Sequence, residues 1–507
     1  MNTANFSRQV RLGAAWTYAN QVYVTIGQFV IGIVLARLLG PSEFGIFIAV
    51  TAFTTLFILG VKFGVPQAIV QARSLTDEQV NAAFWSICVL AAVFMGMAVL
   101  IAEPLSAVYG TARFASVMYL MSGIFVLMPF SAVALALLRR EMRFDQVAVL
   151  NIVTLTVAAP FSIGAALLGA GAYSLVLSAF VSSLVNLVIL MRFTRWRPGW
   201  PSLAPVRGLV GYSSFATVNN VLALATQRVD NMLVGALLGT TQLGLYNRAF
   251  SLARIPSDQF AESLGPLVMG SLSRIQDDIG WSRQLFFKAI SAIAVVTMPL
   301  FVVLGVAGPD AIELIYGSAW AAAGHPLQAM VVGAVFLMLS VTLISFVNAQ
   351  GLVRQAASVH LGVLLVTIVG VLVLAPWGLM AIAIGISLRE ILFFVLLVRL
   401  LRRSRIALGF TELGHAVAPA MIAATLACLA GLLARGPALE AFGAASFGLL
   451  VALCAAVFGA YAVAVGVLML AWRSHVPLAN TRLQIFDAVR ALFARLAPRA
   501  RRLGQVG

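Results

Sequence analysis

Long apolar runs recur along the sequence and set the first limit on its fold. Each run is about 20 residues long, the length of helix that crosses a hydrocarbon layer roughly 30 Å thick. The runs occupy almost all of the 507 residues, of which 62% are hydrophobic and only 10% charged. Such a composition cannot be arranged around one water-soluble core. The sequence therefore predicts an all-α polytopic membrane protein with about 14 transmembrane helices.

The apolar runs form two sets of six and a final pair. The first set lies at 13–36, 44–63, 81–102, 114–138, 147–170 and 172–192, and the second at 209–238, 243–270, 287–306, 324–348, 357–375 and 377–400. The final pair lies at 415–434 and 444–471. The predicted domains are an N-terminal lobe (1–193), a Pro-rich basic linker (194–207), a C-terminal lobe (208–405), two additional transmembrane helices (406–472) and a basic tail (473–507).

Basic residues give an independent prediction of topology, because Lys and Arg in short loops accumulate on the cytoplasmic side of a membrane. Most of the 33 basic residues fall on one side of the predicted spans when the N-terminus is placed in the cytoplasm. Both termini are then cytoplasmic, and the net charge of +16 reflects topology and does not indicate nucleic acid binding. In the tail, arginines alternate with apolar residues at helical spacing, which favours an interfacial helix over a partner-binding one.

One short motif occurs twice. The stretch "VLARLLGPSEFGIF" (34–47) is followed later by "LVGALLGTTQLGLY" (233–246), with Gly40 and Gly45 matching Gly239 and Gly244. Each copy lies where the first span of a lobe turns into the second, and such a turn needs a residue with positive φ or close packing. The alternative is a generic hairpin turn that happens to occur twice. We interpret the match as a duplication of six spans, which makes the lobes parallel repeats.

The residues resemble a known family. The segments "LARLLGPSEFGIF", "GVPQAIVQARSLTDEQVNAAFWSI", "LGLYNRAFSLARIP" and "LSRIQDD" are similar to the bacterial polysaccharide transporter or oligosaccharide flippase (Wzx-like) family of the multidrug/oligosaccharidyl-lipid/polysaccharide superfamily. The resemblance covers roughly residues 6–405. It implies two six-helix lobes around a central cavity, and commonly two further helices at the C-terminus.

The same resemblance implies a function and a location. Members of the family move polyprenyl-diphosphate-linked oligosaccharides, precursors of polysaccharide or lipopolysaccharide, from the cytoplasmic to the periplasmic leaflet of the bacterial inner membrane. The expected partners are this substrate, membrane lipid and the polysaccharide biosynthesis machinery. A multidrug or cation antiporter of the same superfamily and a lipid II flippase stay open as alternatives. A membrane polymerase or ligase fits less well, since every predicted outer loop is short and no catalytic constellation appears.

Polar side chains inside the predicted spans indicate what passes through them, because ionisable groups in hydrocarbon usually face an aqueous cavity. Most lie in the seventh, eighth and twelfth spans. We expect substrate contacts from Arg228, Asp230, Arg248, Arg254, Asp258, Arg389 and Glu390. The planar guanidinium group of arginine matches phosphate oxygens, which predicts that the second lobe holds the diphosphate. The alternative is a buried seam of ion pairs between helices.

Three pairs of acidic and basic residues carry further expectations. Arg254 and Asp258 are spaced i,i+4 and can neutralise each other, whereas the adjacent Arg389 and Glu390 point about 100° apart and are expected to need different partners. Lys62 and Glu262 lie near the cytoplasmic ends of matching spans, so we predict that they form a cytoplasmic gate.

The driving force stays open at this stage. An anion moving outward is helped by an inside-negative membrane potential, worth about 2.3 kcal/mol per charge per 100 mV. Asp230, Asp258 or Glu390 can alternatively bind a coupling proton or sodium ion. No other cofactor is expected. Neither the three cysteines nor the four histidines show ligand spacing, so no metal site is predicted.

Overall fold

The computed structural model describes residues 3–62, 64–72, 74–200, 214–274, 279–402 and 408–471. Side chains are described in these ranges except at 3–19, 214–221, 259–279, 281–282, 348–349, 353 and 469–471. The helices are α1 (Thr3–Lys62), α2 (Val65–Gln71), α3 (Asp77–Val108), α4 (Ala112–Ser122), α5 (Ile124–Arg140), α6 (Phe144–Leu167), α7 (Ala172–Thr194), α8 (Ser214–Arg274), α9 (Ile279–Tyr316), α10 (Gly324–Ala349), α11 (Val353–Leu374), α12 (Gly378–Arg402), α13 (Phe410–Phe442) and α14 (Phe447–Ala471). Two short 3-10 helices, Ser318–Ala323 and Ala375–Trp377, join α9 to α10 and α11 to α12.

These helices confirm the predicted fold class. Within the described residues, 10 helical stretches are long and apolar enough to cross a membrane. Two of them, Asn20–Lys62 with 43 residues and Arg354–Arg402 with 49, are long enough for two crossings each. The 61-residue α8 also has two arms, one on each side of a break at Gly239. Counting the two longest stretches twice gives 12 crossings, and the two arms of α8, which are not among the 10 apolar stretches, lie at the remaining two of the 14 predicted spans.

Both copies of the repeated motif form a sharp turn inside a long helix. The chain breaks at Gly40 in α1 and at Gly239 in α8, where φ is 72° and 85°. These positive φ angles strain any residue that carries a Cβ. The hairpins predicted at these positions are therefore present, and the glycines permit them.

The second glycine of each copy is needed for close packing. A Cβ atom built on Gly45 would lie 1.8 Å from the carbonyl oxygen of Thr240, and one built on Gly244 would lie 2.1 Å from that of Pro41. Thr240 and Pro41 are equivalent positions of the two copies, so each turn packs its glycine against the backbone of the other. This reciprocal contact supports the interpretation of the repeat as a duplication.

The described chain divides into two compact units. The first comprises Met1–Arg248 with Ile315–Ala323 and His360–Gly385, and within it α6 packs against α1 and α7. The second comprises Ala249–Leu314, Gly324–Val359 and Ile386–Gly507. There α13 and α14 pack on each other and on α9, where Val306 and Leu453 share an apolar core. The division into two six-helix lobes stays a prediction.

Two predicted segments lie wholly or partly outside the described residues. The basic tail at 473–507 is outside them, as is the later part of the linker from residue 201. The described start of the linker docks on α3: the Trp85 indole Nε1 donates to the Gly199 carbonyl at 3.0 Å, and Gly199 N donates to Asn81 Oδ1 at 2.9 Å.

Candidate anion-binding site

Arg248 lies in the second arm of α8 and is enclosed by aromatic rings of the first unit. Its guanidinium carbon lies 4.0 Å from the ring centroid of Phe44, 5.3 Å from that of Tyr316 and 5.9 Å from that of Trp320. All three rings are buried. The negative face of an aromatic ring attracts a cation, and the attraction grows when water is excluded. These three rings, called the aromatic cage below, therefore stabilise a positive charge inside the protein.

Two rings of the cage come from a short stretch that links α9 to α10. Trp320 lies in the 3-10 helix Ser318–Ala323 and is fully buried. Its indole Nε1 donates to the Ala36 carbonyl at 3.0 Å, and Arg37 Nε donates to the Ile315 carbonyl at 2.9 Å. Ala36 lies in the last turn of α1 before the break at Gly40, where helix carbonyls lack intrahelical donors. The Ala36 carbonyl, close to the break in α1, is thus the acceptor that fixes Trp320.

Arg228 and Arg248 differ from the other two predicted arginines because they have no carboxylate partner among the described side chains. In both, the Nε atom is buried and has no hydrogen-bond partner. Neither residue takes part in any ion pair between described side chains. A buried guanidinium group without a carboxylate partner is costly in a membrane protein. Both residues therefore keep a positive charge without a carboxylate partner and a buried Nε donor without an acceptor among the described residues.

Asp230 is fully buried and joins the two arms of α8. Its carboxylate accepts from Tyr246 Oη at 2.8 Å and from the backbone N and Nδ2 of Asn231 at 2.7 and 3.1 Å. Asn247 Nδ2 extends the network to Asn231 Oδ1 at 3.1 Å. Asp230, a predicted substrate contact, is thus hydrogen-bonded to other side chains of α8. This network fixes the arm that carries Arg248.

A tyrosine from a loop also supports the first arm of α8. Tyr109, in the loop that follows α3, donates its hydroxyl to the Met232 carbonyl at 2.9 Å. Burial raises the pKa of the Tyr109 hydroxyl well above its usual value, so the group stays protonated and remains a donor.

The other two predicted arginines have carboxylate partners. Arg254 Nη2 lies 3.0 Å from Asp258 Oδ1, which is the expected i,i+4 pair. Arg389 and Glu390 are both buried and contact each other. The expectation that these adjacent residues need different partners is wrong, because the long arginine side chain bends across the 100° between their directions. Both arginines are neutralised locally, unlike Arg228 and Arg248.

The predicted gate can be described at one end only. Lys62 is half-buried at the end of α1, whereas the side chain of Glu262 lies outside the described residues. The contact between them stays a prediction.

A second polar cluster lies at the first repeated turn. Glu43 pairs with Arg113 and accepts from the Ala172 backbone N–H at 2.8 Å, at the N-terminus of α7. Ser116 and Tyr173 share a hydrogen bond of 2.7 Å between their hydroxyl groups. A cavity of about 340 Å³ borders Glu43, Arg113 and Tyr173. Glu43 thus ties the turn of α1 to α4 and α7.

A comparison with protein families fits this architecture. Residues 34–325, which include the repeated turns, Arg228, Arg248 and the aromatic cage, match the model of a family described as polysaccharide biosynthesis protein. The match covers more than half of the chain. The chain belongs to the polysaccharide biosynthesis protein family. This confirms the resemblance found in the sequence motifs.

Relatives of this family member are proteins of bacterial polysaccharide synthesis. The succinoglycan biosynthesis transport protein ExoT of Rhizobium meliloti is 26% identical over 68% of this chain and 70% of its own length. The lipopolysaccharide biosynthesis protein WzxC of Escherichia coli is 22% identical over 61% of this chain and 63% of its own length. The aligned region therefore spans about two thirds of these relatives.

A solved structure supports the fold of this family member over nearly its whole length. The lipid II flippase MurJ in an inward-closed conformation aligns with a TM-score of 0.71, covering 90% of this chain and 98% of MurJ. Sequence identity is 12%, so the likeness concerns the fold alone.

The aromatic cage was missed by reasoning from the sequence of this family member. Phe44, Tyr316 and Trp320 lie far apart along the chain and look like ordinary apolar residues of a membrane protein. One signal was available for Phe44, which lies inside the repeated motif between Gly40 and Gly45. No spacing rule connects it with the other two rings.

Proposed function

We propose that this protein is a flippase that moves a polyprenyl-diphosphate-linked oligosaccharide from the cytoplasmic to the periplasmic leaflet of the bacterial inner membrane by alternating access. The protein makes and breaks no covalent bond in this process. It supplies a path for a hydrated headgroup that cannot enter hydrocarbon, while the lipid tail stays in the bilayer. Family membership and the named roles of the relatives support the proposal.

The observation that carries the proposal is the state of Arg248. Its charge is held by three rings and has no carboxylate partner among the described side chains. A guanidinium group stacked on a ring keeps its N–H donors in the plane of the group, pointing away from that ring face. A diphosphate can accept from such donors in bidentate, charge-assisted hydrogen bonds. Arg248 is thus a cation without a carboxylate partner, and the diphosphate of the substrate supplies the opposite charge.

The four predicted arginines then separate into two roles. Arg228 and Arg248 bind the diphosphate, because neither has a carboxylate partner among the described side chains and each retains a buried Nε donor. Arg254 and Arg389 are held by Asp258 and Glu390, and they support polar helix faces without a net charge. An antiporter for cationic drugs would instead need uncompensated carboxylates in this region. The described charges favour an anionic substrate.

Flipping of a fluorescent polyprenyl-diphosphate-linked disaccharide in proteoliposomes tests the proposal. We expect Arg248→Gln and Arg228→Gln each to slow the initial rate about 10- to 100-fold, since a hydrogen bond to a charged group contributes about 1.5–3 kcal/mol. Arg248→Lys should recover part of the rate, because it restores the charge without the planar fork. The accessibility of the fluorophore to dithionite reports the leaflet.

Arg435→Gln is the matched control. Arg435 is also an arginine of a long apolar helix, but its Nη2 is paired with Asp310 Oδ2 at 2.8 Å. This variant should flip the probe at a rate within about twofold of the unmodified protein, because its charge is already compensated. An Arg248→Gln protein that is folded and flips as fast as the Arg435→Gln control contradicts the proposed site.

We also propose that the membrane potential drives transport. The three carboxylates that are candidates for a coupling ion are all engaged: Asp258 by Arg254, Glu390 by Arg389, and Asp230 by Tyr246 and Asn231. An inside-negative potential moves an anion outward at about 2.3 kcal/mol per charge per 100 mV. Setting the potential with valinomycin and potassium should therefore change the flipping rate. Dependence on a sodium or proton gradient at zero potential would point to one of the carboxylates instead.

The identity of the glycan and the topology need separate measurements. A lipid II flippase is distinguished by competition, in which unlabelled lipid II and other polyprenyl-diphosphate glycans displace the probe to different extents. Cytoplasmic termini predict that a cysteine placed in the tail is labelled only in inside-out vesicles. Association with polysaccharide biosynthesis enzymes is tested by crosslinking in the native membrane.

A further inference from the structure

The stretch Ile315–Ala323 belongs to the first unit, although the helices on both sides of it belong to the second. It leaves α9, docks on the end of the first arm of α1, and returns into α10. Two hydrogen bonds hold it there, from Trp320 Nε1 to the Ala36 carbonyl and from Arg37 Nε to the Ile315 carbonyl. By the predicted topology this docking site lies on the periplasmic side.

The docked stretch also supplies two of the three rings around Arg248. Trp320 contacts Phe44 edge-on with ring centroids 5.9 Å apart, and Tyr316 lies 6.0 Å from Trp320. The guanidinium group of Arg248, which is carried by α8, attracts one ring of α1 and two rings of the docked stretch. Its charge therefore helps to hold these three segments together. Without that charge, the rings keep their apolar contact and lose the electrostatic attraction.

An anion that binds Arg248 competes with this arrangement. Hydrogen bonds to phosphate act in the plane of the guanidinium group and do not displace the rings from its faces, so the competition is electrostatic. A bound diphosphate neutralises the charge that the rings attract and so weakens this attraction. Binding of the anion and tight docking of Ile315–Ala323 thus both depend on the positive charge of Arg248.

We propose that Ile315–Ala323 is a latch on the periplasmic side that Arg248 holds closed through the aromatic cage, and that binding of a lipid diphosphate to Arg248 releases it. The latch couples occupancy of the anion site to opening toward the periplasm. This inference rests on the proposed function, because it assumes that Arg248 binds the diphosphate. It assigns Trp320 and Tyr316 as positioning residues, which act on the substrate through Arg248.

Hydrogen–deuterium exchange of the unmodified protein in nanodiscs tests the latch, with farnesyl diphosphate as the probe and farnesol as the matched neutral lipid. We expect saturating farnesyl diphosphate to increase amide exchange in 315–323 at least fivefold, and farnesol to leave it unchanged. Inorganic pyrophosphate separates a lipid headgroup from a free anion. If pyrophosphate alone gives the full increase at the same concentration, the lipid-linked ligand is overturned.

Two variants separate the latch from the anion site. In Arg248→Gln, exchange in 315–323 should be fast without the probe and should not respond to it. Trp320→Phe keeps a ring beside Arg248 and removes the donor to the Ala36 carbonyl. It should speed exchange without the probe and strengthen binding of farnesyl diphosphate by up to the same factor, because a latch that is already loosened no longer opposes binding. A loss of folding would instead abolish binding.

The results distinguish failure of the latch from failure of the proposed function. Binding of farnesyl diphosphate, measured by native mass spectrometry, should weaken at least tenfold in Arg248→Gln. If binding depends on Arg248 but exchange in 315–323 is the same with and without saturating probe, the latch is overturned and the anion site stands. If binding does not depend on Arg248, both are overturned. If a variant does not fold, exchange of the unmodified chain with and without saturating probe still tests the latch.

Discussion

The two copies of the repeated turn have the same backbone geometry and different side chains. Gly40 and Gly239 both adopt positive φ, and Gly45 and Gly244 each pack against the backbone of the other copy. Around these glycines the copies differ. Glu43 corresponds to Gln242, Phe47 to Tyr246, and buried Ala49 to Arg248.

This difference shows which part of the duplication is structural and which is functional. Close backbone packing requires the same residue in both copies, because any side chain on Gly45 or Gly244 would overlap a carbonyl group. The flanking positions have no such limit. The second copy carries the caged cation and the Asp230 network, and the first carries the ion pair of Glu43. The glycine contacts between the two turns are the same in both copies, whereas the charged and hydrogen-bonding side chains around them differ.

The largest expected effect comes from breaking the symmetric part. Gly45→Ala and Gly244→Ala each place a methyl group within about 2 Å of a carbonyl oxygen, so the turns must separate. We expect each to destabilise the protein by about 3 kcal/mol, the upper range for overpacking. Thermal unfolding of the purified protein measures the loss.

A helical glycine at which an added Cβ would contact nothing is the control for the close contact between the two turns. A Cβ on Gly96 in α3 would meet nothing within 4 Å. Gly96→Ala should leave the unfolding temperature unchanged or raise it slightly, because alanine is favoured over glycine in helices. Equal stability of Gly45→Ala and Gly96→Ala would show that the crossing of the turns is not tight.

An intermediate effect is expected from making the second copy resemble the first. Tyr246→Phe introduces the residue found at the matching position 47 and removes the donor to Asp230 Oδ2. A buried acceptor that loses a partner costs about 1–3 kcal/mol. We expect a stability loss of about 1–2 kcal/mol in the same unfolding measurement. No loss would mean that water or another donor replaces the hydroxyl group.

The smallest effect is expected from the reverse change in the first copy. Glu43→Gln introduces the residue of the second turn, keeps an oxygen for the Ala172 N–H, and removes the charge that pairs with Arg113. The Arg113 side chain is 62% exposed, so the pair contributes at most about 1 kcal/mol. A double-mutant cycle with Arg113→Gln measures the coupling. A coupling well above that value would reveal a pair shielded from solvent.

Interactions local in sequence were predictable here. The apolar runs predicted the helices, because the bilayer fixes the length of a spanning segment. The repeated glycines predicted both helix breaks, and i,i+4 spacing predicted the pair of Arg254 and Asp258. The adjacent Arg389 and Glu390 show the limit of such rules, since helix geometry gives the direction of Cβ but not the path of a long side chain.

The sequence by itself determined the helices, their turns and the presence of four arginines inside the predicted spans of the C-terminal lobe. Only the tertiary structure decided that Arg389 is also neutralised and that Arg248 is not. Arg254 and Arg389 find a carboxylate on their own helix, whereas Arg248 is enclosed by rings from α1 and from the stretch between α9 and α10. The physical reason is that a buried charge is stabilised by whatever surrounds it in space, and these surroundings assemble only when distant parts of the chain pack together.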